Sequence, residues 1–156
     1  RECRDVPPEE ALNCIAGFMI MNDWSARDLQ RAEMKVGLGP AKGKDFATSF
    51  GPWLVTPDEL EDRREGFRHR LAMTARINGC EVSRGNLADM HFHFGELIAR
   101  ASQDCTLYPG EVIGSGTVGT GCLLETEAAP WLEPGDVVEL EVERLGVLRN
   151  TVTENG

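Results

Sequence analysis

A chain of 156 residues, 41% apolar and 27% charged, has the size and composition of one globular domain with one sizeable core. Sixteen basic against 26 acidic side chains leave a net charge of −10, which excludes nucleic acid and an anionic membrane surface as main partners, since both demand a basic face. The longest apolar run, Ile15 to Met21, is too short to cross a bilayer, which takes about 20 residues.

The chain opens Arg1-Glu2-Cys3-Arg4 with no initiator Met, so either the terminus is processed or the chain is part of a longer polypeptide. No signal-peptide pattern follows. Cys3, Cys14, Cys80, Cys105 and Cys122 form no C-x-x-C pair and no metal-ligand rhythm. An odd number without a secretory signal reads as reduced thiols in a cytoplasmic protein, most of them small buried hydrophobes.

In chain order, Asp5-Val6-Pro7-Pro8-Glu9-Glu10 predicts a short helix to about Asn13. Ile15 to Met21 predicts a buried strand, and Ser25-Ala26-Arg27-Asp28 a capping box opening a helix to about Lys35. Residues 36 to 52, rich in Gly and Pro, predict a long ordered loop. Trp53 to Thr56 predicts a short strand, Pro57 to Leu60 one helical turn, and Glu61 to His69 an exposed charged stretch. Leu71 to Ile77 and Cys80 to Ser83 flank Asn78-Gly79, the signature of a hairpin. His91 to Ala101 predicts an amphipathic helix, and Glu111 to Ile113 a strand. A strand at Val138-Leu140-Val142, with Glu139, Glu141 and Glu143 on a wet face, returns through a hairpin near Leu145-Gly146 to Val147–Val152. No repeat or linker interrupts the chain, so residues 1–156 are expected to form a single, mainly β domain with short helices.

Four groups of residues could carry chemistry. Asp23 stands at a strand end, with Arg27 and Gln30 following on one helical stripe. Asp suits a hard cation such as Mg²⁺, and Arg suits bidentate recognition of a carboxylate. An N-terminal capping cluster with a surface ion pair fits the same residues. In Gly39-Pro40-Ala41-Lys42-Gly43-Lys44, glycines allow close approach of backbone to a ligand, and one lysine offers a fixed charge for an enolate or carboxylate. A solvated basic loop fits equally. Gly114-Ser115-Gly116-Thr117-Val118-Gly119 matches G-x-G-x-x-G, but Cys122 to Glu125 reads as strand where a dinucleotide site needs a helix. A loop offering Thr117 and backbone amides to a small anion fits better. His91 and His93, two apart, read as capping or surface residues rather than a zinc pair.

Together, Asn22-Asp23-Trp24-Ser25-Ala26-Arg27-Asp28-Leu29-Gln30, Gly43-Lys44-Asp45-Phe46, Gly51-Pro52-Trp53-Leu54-Val55-Thr56, Leu107-Tyr108-Pro109-Gly110 and Gly114-Ser115-Gly116-Thr117 resemble the fumarylacetoacetate hydrolase (fumarylacetoacetase) family. The resemblance implies a mixed β-roll and a site holding Mg²⁺ (or Ca²⁺/Mn²⁺). It makes Asp23 a metal ligand and Arg27 a catalytic and substrate-binding residue beside the metal-bound substrate. Gln30 becomes a substrate hydrogen-bonding residue, Lys44 the charge that stabilises developing negative charge, and Thr117 a holder of the substrate carboxylate or oxo group. Glu125 would orient water. Ala47 stands where some members have glycine. The family's Glu-x-Glu metal ligands and water-activating histidine precede this region. Glu139-x-Glu141 and Glu141-x-Glu143 have that spacing but lie out of order, as a solvated strand face. The chain therefore resembles the C-terminal part of a catalytic domain, incomplete at its N-terminus and with raw sheet edges. It would need an upstream segment or partner chain to complete the site, and would form a homodimer.

Three functions follow as expectations. The first is a metal-dependent hydrolase cleaving a carbon–carbon bond of a β-diketo or 2-oxo acid, in catabolism of aromatic compounds or amino acids. The second is a decarboxylase, isomerase or hydratase on a 2-oxo acid. The third is a non-catalytic truncated or split subunit.

Overall fold

The computed structural model describes residues 1–37, 39–125 and 129–154. Its largest sheet has four antiparallel strands in the order β6-β5-β7-β8, where β5 is Ala72–Ile77, β6 Cys80–Asn86, β7 Val137–Val142 and β8 Gly146–Thr151. Asn78 and Gly79, both at positive φ, turn β5 into β6, as the dipeptide predicts. Along β7, Val138 and Val142 are buried. The glutamates between them meet arginines of the neighbouring strands: Glu141 holds Arg76 of β5 at 2.6 Å and Glu139 lies 3.8 Å from Arg149 of β8. Glu143, just past β7, holds Arg63 from outside the sheet at 2.7 Å, so the wet face expected there carries ion pairs.

Two smaller sheets lie beside it. β1 (Phe18–Asp23) pairs antiparallel with β2 (Thr48–Val55), and β3 (Arg64–Glu65) with β4 (Arg68–His69). The core cluster joins Phe18 and Ile20 of β1 to Leu60, Leu71, Leu87, Val142, Leu145 and Leu148. Among the described residues there are four short α-helices: α1 (Pro8–Ala11), α2 (Arg27–Glu33), α3 (Lys42–Asp45) and α4 (Phe94–Ser102). The mainly β, α+β expectation therefore holds. Both β1–β2 strands, together with β6 and β8, stand at sheet edges.

Several local expectations are corrected. The first strand begins at Phe18, because a 3₁₀ turn at Leu12–Cys14 prolongs α1 and leaves Ile15–Gly17 as a connector. The stretch read as a loop over 36–52 contains α3 and most of β2. There the edge of β1 overrides the turn residues, and Pro52, which lacks an N–H, falls where the pairing register shifts between Phe18↔Val55 and Ile20↔Gly51. The turn expected at Pro57–Leu60 runs on as a 3₁₀ helix to Arg63, and Arg64–His69 folds back as the β3–β4 hairpin and buries His69. Glu111–Ile113 and Cys122–Glu125 form no strands; the first has no regular structure and the second is a turn.

The cysteines also differ from expectation. Cys3 and Cys14 form a disulfide, because the chain reverses through α1 and returns Cys14 to within 6.8 Å of Cys3, Cα to Cα. Cys80 and Cys105 are exposed thiols and Cys122 is half-buried, so only Cys3 among the five packs as a buried residue. His93 is a cap, as expected. Its ring accepts from the Glu96 N–H, and the Glu96 carboxylate accepts from the His93 N–H in turn.

Candidate active site

The end of β1 delivers Asp23 to the corner where α2 and α3 meet. Lys44, on the single turn of α3, reaches across so that its Nζ lies 2.6 Å from the Asp23 carboxylate. The same ammonium donates to Ser25 Oγ at 2.7 Å, and Ser25 Oγ donates to the Asp23 carbonyl at 3.2 Å. Ser25 is therefore not the helix cap. The cap position is Ala26, and the serine hydroxyl is committed to Asp23 and Lys44 instead. Arg27 Nη1 donates to Gln30 Oε1 at 2.6 Å, the one-stripe geometry expected from their spacing. Trp24 Nε1 donates to Ser49 Oγ at 2.9 Å, which fastens the end of β1 to β2.

Helices α2 and α3 touch through Gly43. Its carbonyl accepts from the Ala26 N–H at 2.9 Å, and a Cβ there would stand 2.8 Å from the Gln30 backbone nitrogen. This glycine admits the backbone of a neighbouring helix, where close approach of a ligand was expected. Glu33, at the far end of α2, accepts the N–H groups of Ala41, Lys42 and Gly43 at 2.9, 2.7 and 3.1 Å. The Ala41 N–H above all holds the Glu33 carboxyl below the ordinary carboxylate range. Neither Glu33 nor the second role of Ser25 is visible in the sequence, because both depend on where α3 comes to rest.

Asp23, Ser25, Arg27 and Lys44 line a cavity of about 840 Å³, within the range of small-molecule sites. Apolar Met21, Met73 and Leu140 line it too, as does the segment Gly114–Thr117, which lies against β1 at Met21. The fold thus brings Asp23, Arg27, Lys44 and Thr117 to one cavity. Gln30 stands behind Arg27 and is not part of the lining. Glu125 is exposed beside the lining residue Leu124 and is not in the lining itself.

The metal-binding donors are few. Among the described residues no group of three or more His, Cys, Asp or Glu side chains is placed to hold an ion. The Asp23 carboxylate fits as one hard oxygen donor, but a divalent cation of this class takes about six or more. The described residues by themselves do not constitute a complete metal site.

The sequence profile described as "Fumarylacetoacetate (FAA) hydrolase C-terminal" matches residues 1–153. The chain belongs to the fumarylacetoacetate hydrolase family. Among its relatives, 2,4-didehydro-3-deoxy-L-rhamnonate hydrolase of Sphingomonas sp. (strain SKA58) is 39% identical over 97% of this chain and 51% of its own length. The mitochondrial oxaloacetate tautomerase FAHD2A of Homo sapiens is 38% identical over 96% of this chain and 46% of its own. The crystal structure of 5-carboxymethyl-2-hydroxymuconate delta-isomerase from Mycobacterium smegmatis superimposes with a TM-score of 0.76, at 34% identity, over 100% of this chain and 55% of that one. Fumarylpyruvate hydrolase from Pseudomonas aeruginosa, solved in complex with Mn²⁺ and pyruvate, shares the fold at a TM-score of 0.79 and 22% identity, over 99% of this chain and 61% of that one. The chain spans about half the length of the curated relatives it matches. Members of the family are enzymes, acting as hydrolases, isomerases or tautomerases on oxo acids.

Proposed function

We propose that this chain carries the charge-stabilising part of an active site that cleaves a carbon–carbon bond of an acylpyruvate-like β-diketo or 2-oxo acid by adding water. The observation that carries this reading is the Lys44 ammonium, held 2.6 Å from the Asp23 carboxylate in the lining of the cavity. In the proposed reaction, water adds its oxygen to the distal carbonyl carbon and gives up a proton. The bond from that carbon to C3 breaks, and its electron pair moves onto C3 and the C2 oxygen as the enolate of the 2-oxo acid. A proton then returns to C3, leaving a carboxylic acid and a 2-oxo acid. Lys44 faces the enolate oxygen, where negative charge appears, and preorganised charge is worth most there. Arg27, whose Nη1 is held by Gln30, would take the substrate carboxylate through its planar fork. Thr117, in the lining, supplies a hydroxyl to the carboxylate or oxo group, whereas Glu125 lies outside the lining and is given no part in this step.

Asp23 would act as one ligand of Mg²⁺ (or Ca²⁺/Mn²⁺), which when bound polarises an oxo acid. The remaining ligands would come from a segment or partner chain outside the described residues. Exposed Phe46 and Trp53, which lie outside the cavity lining, support a homodimer. The same enolate serves a second reading, isomerisation or tautomerisation. It is favoured by the 38% identity to a tautomerase and the 34% identity to an isomerase.

Pyruvate release from an acylpyruvate, followed in the full-length protein, tests the hydrolase. Lys44→Met should lower kcat by about 10²-fold while KM stays within about twofold, since the charge acts in the transition state. A raised KM at unchanged kcat would make Lys44 a binding residue only. No pyruvate release, with double-bond migration in its place, would favour the second reading.

A further inference from the structure

The network behind Lys44 contains a carboxylate that the chemistry above leaves unused. The three amides that Glu33 takes, from Ala41, Lys42 and Gly43, lie at the start of α3. They are the donors a helix cannot satisfy internally, and Ala41 at the cap position has no side-chain acceptor to offer them. A solvated surface carboxylate would meet water; this one is chelated by successive amides of the element that carries Lys44. The lysine stem is four flexible carbons, so the place of its ammonium depends on the backbone that bears it. We propose, resting on the reading of Lys44 as the enolate-stabilising charge, that Glu33 is the positioning residue of that lysine. Its carboxylate clamps α3 onto α2, and Gly43 makes the clamp tight by letting the two backbones meet. Lys44 Nζ then stands at Asp23 before substrate arrives, and no reorganisation is needed when charge develops. The bonds from Ala41 and its neighbours favour the ionised form of Glu33, the form that accepts all three amides.

Lysine acylation tests this without any substrate. The chain's lysines are Lys35, Lys42 and Lys44, and exposed Lys35 serves as internal standard. With an N-hydroxysuccinimide ester and peptide mass spectrometry, Glu33→Ala should raise the Lys44-to-Lys35 labelling ratio about fivefold or more, as the corner opens locally. Glu33→Gln, which retains one carbonyl oxygen for the amides, should fall between Ala and wild type. In turnover, Glu33→Ala should lower kcat about tenfold with KM within about twofold. If Glu33→Ala does not fold, as judged by circular dichroism, Glu33→Gln decides alone. An unchanged labelling ratio in the folded variants overturns the proposal, even if Tm falls, because that pattern belongs to a carboxylate that merely stabilises. A raised ratio in a protein that forms no enolate sustains the positioning role and overturns the function proposed for Lys44.

Discussion

The corner formed by β1, α2 and α3 and the segment from Pro109 to Gly135 line the same cavity but are built by opposite means. In the corner, each functional side chain is held by a named partner: Lys44 by Asp23 and Ser25, Arg27 by Gln30, and the α3 backbone by Glu33. In the segment, the described residues form no helix or strand, and Thr117 is exposed with its glycine neighbours around it. Charge must be placed before the reaction to be useful, whereas a hydroxyl that only steadies a carboxylate can be recruited by the substrate itself. A close-packed polar corner facing an open glycine-rich wall is the division of labour such chemistry favours.

Identical substitutions should separate the two regions by sign. The largest effect is expected from Gly43→Ala. Its new Cβ would meet backbone atoms of Gln30 at 2.8 and 3.0 Å, which cannot swing away, so we expect a loss of about 2 kcal/mol by thermal or urea unfolding. An intermediate effect is expected from the buried histidine at the end of β1 opposite the corner. The ring of His69 meets Phe18, at the start of β1, edge-on at 5.2 Å. Burial first, and the Arg64 charge second, push its pKa below the ordinary histidine value, against the opposing pull of Glu61. The unfolded chain therefore binds the proton more readily than the folded one. Stability should be full above about pH 6.5 and fall as pH drops from there towards the lowered folded pKa. His69→Leu should flatten that part of the stability curve; an unchanged slope would assign it to other groups. The smallest effect, of opposite sign, is expected from Gly119→Ala. A Cβ there meets nothing within 4 Å, so the substitution should be neutral or stabilise by up to about 1 kcal/mol through the unfolded chain. If both glycine variants lose stability equally, the contrast between a packed corner and an open wall is wrong.

The parts of the site that were legible in the sequence are those written locally. Asp23, Arg27 and Gln30 lie within eight consecutive residues, and helical spacing alone places the last two on one stripe. Lys44 was legible as one of two candidate charges, but its partner Ser25 was read as a helix cap, since the capping pattern is the commoner use of that spacing. Glu33 was not legible at all, because it is eight to ten residues from the amides it binds and no spacing rule links them. In the fold, the Asn78-Gly79 hairpin and the β7–β8 return were written in turn chemistry and alternation. β2 was hidden by Gly51 and Pro52, which punctuate a loop in most contexts and here are overridden by pairing with β1. The disulfide of Cys3 with Cys14 was missed because spacing carries no information on which thiols the chain brings together.

The central claim is that Lys44, preset at Asp23, stabilises an enolate, the species shared by the hydrolytic and isomerising readings. Deuterium exchange at C3 of a 2-oxo acid, followed by proton NMR in D₂O with the full-length protein and Mg²⁺, measures that step without requiring a bond to carbon to break. We expect exchange well above the buffer rate for the wild type and about 10²-fold slower exchange for Lys44→Met. Equal rates in the two proteins, or no exchange above buffer in the wild type, would contradict it.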